Sequence, residues 1–232
     1  MGLIIMNRPI RLALIEPLVK NSVRINKQGK VGDVGPRLSL GYLAGYVRKK
    51  ARNVEVRILP YRLYELEGKT RELEKDLANF DIIGITATTT EFPDSQVIAR
   101  VAKSLGKTVV LGGIFPTANS EYVLSSPNID FIVRGEGEET LLELIESYSS
   151  GNFSHVNGIS YKKDGRIVHN PNRDLAQDLD VFEPAWDLME LERYAASIHR
   201  ATVYASRGCL MNCSFCTISP HWRQSYRTKN IE

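Results

Sequence analysis

All three cysteines of this 232-residue chain lie in one stretch, Ser206 to Pro220, which reads SRGCLMNCSFCTISP. Cys209, Cys213 and Cys216 follow one another at spacings of four and three residues. An odd number of thiols packed this closely is a poor disulfide framework, so metal chemistry is the natural use for them. Three thiolates from one turn-rich loop can hold three corners of a cubane 4Fe-4S cluster and leave the fourth iron open. The same thiols with His221 would make a Cys3His set for tetrahedral zinc. A ferredoxin-type site needs a fourth cysteine, which the chain lacks. On spacing alone, iron-sulfur and zinc both stand.

A loop of this kind needs a scaffold, and the composition supplies one. Hydrophobic residues make up 43% of the chain, enough to bury a real core and to exclude global disorder. The net charge of +3 gives no clear nucleic-acid signal. The opening MGLIIM is followed at once by NRPIR, so its apolar run is too short for a signal peptide or a membrane span. With thiols suited to a reducing compartment, these features lead us to expect a cytoplasmic protein.

Apolar strands alternate with amphipathic stretches over the first two thirds, the order that builds a parallel sheet. Strands are expected at Ile10 to Pro17, Val54 to Leu59, Asp81 to Ala87, Thr108 to Gly113 and Ile129 to Val133. Helices are expected at Leu38 to Lys50, Arg71 to Phe80, Pro93 to Gly106 and Glu138 to Tyr148. The pattern then changes. Ile159 to Tyr161 and Arg166 to His169 flank KKDG, a hairpin signal, and Asp174 to Glu192 reads as an acidic connector with scattered apolar anchors. A further strand, Ala201 to Ser206, leads into the cysteine loop.

In an open doubly wound sheet, ligands bind outside the carboxyl ends of the strands. Three polar loops stand there: TATTT (Thr86 to Thr90), GGIFPT (Gly112 to Thr117) and RGEGEET (Arg134 to Thr140). Each alone has an ordinary structural use as turn, loop or helix start. Together on one edge they outline a broad polar pocket. A dinucleotide fold is disfavoured because GEGEE lacks the third glycine of G-x-G-x-x-G, and no phosphate-binding P-loop occurs.

The five-strand order, DIIGITATTT, and VVLGGIFPTANSEYVL followed by NIDFIVRGEGEETLLEL resemble the cobalamin (B12)-binding domain that precedes the barrel in B12-type radical S-adenosylmethionine (SAM) proteins. The stretch YASRGC running into the C-x3-C-x-aromatic-C loop is similar to the start of radical SAM barrels. The resemblance implies an α/β fold with three parts. These are a five-stranded doubly wound parallel sheet (residues 1–150, Rossmann-like and cobalamin-binding), a hairpin and linker (151–198), and an incomplete first βα unit of a radical SAM barrel (199–232). It implies three cofactors: cobalamin, a 4Fe-4S cluster on Cys209, Cys213 and Cys216, and SAM on the open iron. Thr86, Thr88, Thr89, Gly112, Gly113 and Thr117 become cobalamin contacts by position, with Arg134, Gly135 and Glu136 on the adjoining edge. Phe215 would sit beside the SAM adenine, while Arg207 and Gly208 would shape the mouth of the loop.

The resemblance departs at Phe115, where family members often place a histidine in GGxHxT, and D-x-H-x-x-G is absent, so no protein histidine is expected on the cobalt. His155, His169 and His199 are expected outside the pocket. The implied reaction is methyl transfer to an unactivated centre, with cyclisation or rearrangement also found in the family, acting on an unidentified small molecule. A radical SAM barrel needs more strands and helices than follow the cysteine loop here. The expectation is therefore that this chain alone is not a competent enzyme and that a separate chain could supply the barrel. The non-enzymatic alternative is a cobalamin-binding carrier or sensor, or a Cys3His zinc-bearing fragment. Methylthio transfer to tRNA is set aside because residues 1–208 carry no further cysteines.

Overall fold

The computed structural model describes residues 8–17, 35–61, 70–194, 202–217 and 225–230. Its centre is a seven-stranded sheet in the order β2-β1-β3-β4-β5-β6-β7. The first five strands are parallel: β1 (Ile10–Ile15), β2 (Val54–Leu59), β3 (Ile82–Thr86), β4 (Thr108–Gly112) and β5 (Phe131–Val133). The expected hairpin, β6 (Ile159–Lys163) and β7 (Arg166–His169), does not stand apart from this sheet. It extends it, with β6 antiparallel to β5 through pairs such as Ile132 with Ser160.

The helices are α1 (Leu38–Lys50), α2 (Thr70–Ala78), α3 (Phe92–Ser104), α4 (Ile114–Ala118), α5 (Ser120–Leu124), α6 (Glu138–Glu146) and α7 (Leu191–Tyr194). Parallel strands are covered on both faces, and the alternation of side chains divides the core accordingly. Leu12, Leu14, Ile82 and Val110 pack on one face with Leu40, Ala44 and Leu144 from α1 and α6. Ala13, Ile15, Ile83 and Leu111 pack on the other with Leu77, Ile98 and Leu124 from α2, α3 and α5. The short helices α4 and α5 escape a periodicity reading because neither completes two turns.

The acidic connector is held to α1 by apolar anchors: Leu179, Phe182 and Met189 close over Leu38 and Tyr42. A methyl-sized atom on Gly45 would lie 2.0 Å from the Glu183 carbonyl oxygen, so the helix can carry the connector only where it lacks a side chain. The Ala185 N–H donates to the Gly41 carbonyl at 2.9 Å, and the basic last turn of α1 faces it, with Arg48 paired to Asp187.

The last strand also differs from expectation. Residues 202–205 lie outside any strand, and β8 (Ser206–Gly208) pairs antiparallel with β9 (Tyr226–Thr228) as a separate two-stranded ribbon. The apolar run at 202–205 suggested a strand, but the ladder forms where the chain returns to offer a partner. Arg207 of β8 and Arg227 of β9 both pair with Glu136, which lies between β5 and α6, so the ribbon is held to the end of the main sheet.

Gly45→Ala tests the connector contact by sign. On an exposed helix this change stabilises by ~1 kcal/mol. Here the approach of Glu183 reverses it, and urea denaturation should show a destabilised variant; a rise in stability would contradict the packing.

Candidate cobalamin site at the strand carboxyl ends

Strand order reverses between β1 and β3, where the chain leaves β1 toward one side of the sheet and β3 toward the other, opening a crevice between diverging loops. A cavity of about 470 Å³ occupies this crevice. Leu14, Val110 and Val133 form an apolar floor, Leu40 and Tyr42 of α1 form a wall, and Thr86, Thr88 and Ser39 put hydroxyls on the rim. The fourth side is built by Tyr204 and by Ser206, Arg207 and Gly208 of β8. An apolar floor with a hydroxyl and backbone rim suits an amphipathic ligand.

Of the residues expected to contact cofactor, the structure brings Thr86, Thr88, Gly112, Gly113, Gly135 and Glu136 to the cavity lining. Gly113 sits at φ 98°, and a Cβ there would lie 2.9 Å from both the Ala87 carbonyl oxygen and the Thr86 hydroxyl. Only a glycine lets the β4 loop lie this close to the β3 loop. Thr117 acts one step back, its hydroxyl accepting from the Gly135 N–H at 3.2 Å. Thr89 is exposed and does not line the cavity. Arg134 turns away to the hairpin, where it donates to Ser160 and to the Asn170 carbonyl, and burial pulls its pKa below the ordinary value. Phe115 packs against Phe92, with ring centroids 4.7 Å apart, rather than facing the cavity. His155 and His169 lie away from it as expected, bonded to Ser147 and Ser160 respectively; His199 and His221 fall outside the described residues.

Sequence reading missed two charge clusters. Arg37, ahead of α1, bridges Glu16 at the end of β1 (3.3 Å) and Glu91 ahead of α3, both carboxylates being buried. Burial opposes charge on Arg37, but the two carboxylates outweigh it and hold its pKa above the ordinary value. The other oxygen of Glu91 accepts from the Thr88 N–H at 2.8 Å, so this pair fixes the β3 loop on the rim. The signal for it, one arginine and two glutamates scattered over 75 residues, has no local period.

The second cluster ties the tail to the cavity. Glu136 Oε1 accepts from Arg227 Nη2 at 2.9 Å and Arg207 Nη1 at 3.3 Å; Oε2 accepts from Arg227 Nη1 at 3.0 Å and the Ala176 N–H at 2.9 Å. Arg207 also donates to Glu138 at 2.6 Å and lies over the Phe182 ring, 4.7 Å from its centroid. Tyr42 stacks on Tyr204 at 5.7 Å beside it. Burial pushes the Glu136 carboxyl up, but the bonds from Arg227 and Ala176 and the charge of Arg207 more than offset this and hold it below the usual carboxylate range.

Cys209, Cys213 and Cys216 are free and partly buried, and the Cys216 N–H donates to the Cys213 carbonyl at 3.0 Å. Among the described residues no three His, Cys, Asp or Glu side chains converge closely enough to hold a metal ion. The donor set of the loop is three thiols with no carboxylate between them, soft ligands of the kind that suit iron-sulfur or zinc, and they are not converged in the structure. Phe215 beside them is 89% exposed and does not line the cavity.

A carboxylate with a depressed folded pKa contributes stability above its unfolded value and loses it as pH falls through the folded one. Glu136→Gln should therefore cost about 3 kcal/mol at neutral pH, the scale for breaking a buried pair, and should flatten the loss of stability on acidification. Guanidinium melts at stepwise lower pH check both.

Comparisons with known proteins follow this geometry. The B12 binding domain family model matches residues 28–145, half of the chain. An uncharacterized methyltransferase from Pyrococcus horikoshii is 33% identical over 231 residues, covering 96% of this chain and 48% of that protein. The anaerobic magnesium-protoporphyrin IX monomethyl ester cyclase of Rubrivivax gelatinosus is 35% identical over 207 residues, covering 84% of this chain and 37% of that one. The chain thus spans less than half the length of either relative. Among solved structures, the radical SAM methyltransferase TsrM from Kitasatospora setae superposes with a TM-score of 0.73 at 18% identity, over 95% of this chain and 43% of its own. The cobalamin-dependent radical SAM enzyme OxsB gives 0.73 at 23% identity, over 95% of this chain and 30% of its own. Among the described residues no helix is long and apolar enough to cross a membrane. With its switch-point cavity, its polar glycine rim and the family match over half its length, the chain belongs to the B12-binding family, in the architecture shared with cobalamin-dependent radical SAM enzymes.

Proposed function

We propose that this chain binds cobalamin in the switch-point cavity and carries a SAM-cleaving 4Fe-4S cluster on Cys209, Cys213 and Cys216, serving methyl transfer to an unactivated centre. One observation carries the reading: β8, the strand that runs into the cysteine loop, is itself a wall of the cavity, through Ser206, Arg207 and Gly208. Two cofactor regions that could have been separate are joined by a few residues of backbone.

Bound together, cobalamin would supply a methyl carrier and the cluster with SAM a source of the 5'-deoxyadenosyl radical. The protein's part is placement. Thr86 and Thr88 offer hydroxyls, Gly112 and Gly113 bare backbone, and Leu14, Val110 and Val133 an apolar seat that keeps water from the ring. Position 115 of the β4 loop is a phenylalanine packed on Phe92, so that loop offers no imidazole to the metal. Glu91 holds the Thr88 amide and so fixes this part of the rim.

Methyl transfer is favoured by the methyltransferase relative that aligns with nearly the whole chain. Ring closure is the second reading, favoured by the cyclase relatives. Feeding SAM labelled in its methyl group to the whole protein separates the two, since only methyl transfer places the label in product.

Two measurements test the cofactors. Hydroxocobalamin should stay with the protein through gel filtration and show a base-off spectrum, and Gly113→Val should lose it; no retention by the parent would remove the cobalamin assignment. Anaerobic reconstitution should give broad absorbance near ~400 nm and about four irons per chain, with Cys213→Ala losing both. Stoichiometric zinc without iron uptake would overturn the cluster in favour of a zinc-bearing carrier.

A further inference from the structure

We infer that Glu136 is a positioning residue for the metal loop, holding both ends of the cysteine-bearing segment by one carboxylate, rather than a cofactor contact. The inference rests on the cluster assignment above for its consequence, and on geometry for its mechanism.

The segment that carries all three cysteines leaves β8 after Gly208 and returns at Tyr226 in β9. These strands form a ribbon of only two, three residues each, a size with little stability of its own in water. Their register makes the difficulty worse: Arg207 stands directly opposite Arg227. Like charges facing one another across a ladder oppose pairing. The ribbon forms because a buried carboxylate lies between the two guanidinium groups. Glu136 takes Arg227 through both oxygens and Arg207 through one, at 2.9 to 3.3 Å. Its remaining capacity on Oε2 is taken by the Ala176 amide, so the carboxylate is itself fixed from the connector side.

The anchor is rigid because its own backbone is. Glu136 follows β5, a fully buried strand, and precedes α6, whose Glu138 gives Arg207 a second partner. The side chains of Glu136, Arg207 and Arg227 are all at least nine-tenths out of solvent, where a charge pair is screened little. Further pins lie just outside the pair: Lys229 donates to the Phe182 carbonyl at 2.9 Å, and the Lys229 N–H to the Ala205 carbonyl at 2.8 Å. By contrast, in the described part of the loop (209–217) Leu210, Met211 and Phe215 are largely exposed. The positions open to its thiols are therefore limited by where its two ends are held. Because Glu136 also lines the cavity, the same carboxylate sets the distance between the ring seat and the loop.

The test uses the chain's three cysteines as reporters. In the iron-free protein, iodoacetamide labelling followed by mass spectrometry should be about tenfold faster at Cys209, Cys213 and Cys216 in Glu136→Gln than in the parent. Iron taken up on anaerobic reconstitution should fall severalfold. Adding Arg227→Gln to Glu136→Gln removes the facing like charges and should recover part of both losses, which a general loss of packing would not do. If Glu136→Gln does not fold, Arg227→Lys, which keeps the charge but cannot bind both oxygens, should show the same faster labelling at smaller size. Labelling and iron uptake equal to the parent in these variants would overturn the inference. A parent that takes up no iron sinks the cluster assignment instead, and the labelling rates still decide the role of Glu136.

Discussion

A buried carboxylate between two arginines is the constraint on which the arrangement of this protein turns. Removing Glu136 and its two guanidinium partners from water is costly, and the cost is offset because both oxygens of the glutamate and the Nη atoms of both arginines have directed partners, with an amide from the connector and a second glutamate completing the set. Such a cluster has few alternative arrangements of comparable energy. It therefore fixes three pieces of chain that share no backbone hydrogen-bond ladder: the end of β5, the connector near Ala176, and the β8–β9 ribbon.

The rest of the site follows from where that cluster sits. The parallel sheet ends in a crevice at the β1–β3 switch point because successive connections pass to opposite faces. Its floor is apolar since the strands are buried on both sides, and its rim is polar because the loops are not. Arg37, shared by Glu16 and Glu91, closes the side nearest β1 and steadies the Thr88 loop. The Glu136 cluster closes the opposite side with a segment from the far end of the chain. What would otherwise be an open groove on a sheet edge becomes a cavity with four walls.

Much of this was legible in the residues. The ranges of α1 and β2 coincide with those expected, and the other strands of the parallel sheet differ only by a few residues at their ends, because burial on both faces leaves long apolar runs that periodicity detects. Apolar anchors were visible as scattered residues in an acidic stretch, but only packing selects Leu179, Phe182 and Met189 among them. The polar loops were correctly taken as one edge. Within them the assignments divided: Thr86, Thr88, Gly112 and Gly113 reach the cavity, while Arg134 and Thr89 do not. A loop motif says which residues are near an edge, and the direction of each side chain depends on neighbours from other elements. Arg134 points outward because the hairpin beyond β5 offers it Ser160 and Asn170, and nothing in RGEGE announces that.

The sequence by itself determined the layered α/β sheet, its functional edge and the donor chemistry of the cysteine loop, since these depend on composition, period and spacing along the chain. Only the tertiary structure decided that the hairpin joins the sheet, that the final ribbon pairs at 206–208 with 226–228, and that Glu136 serves Arg207 and Arg227. The physical reason is range. Hydrophobic alternation is written in neighbouring residues, whereas a buried ion pair across 71 or 91 positions exists only once the fold has brought opposite charges together and excluded the water that would have screened them.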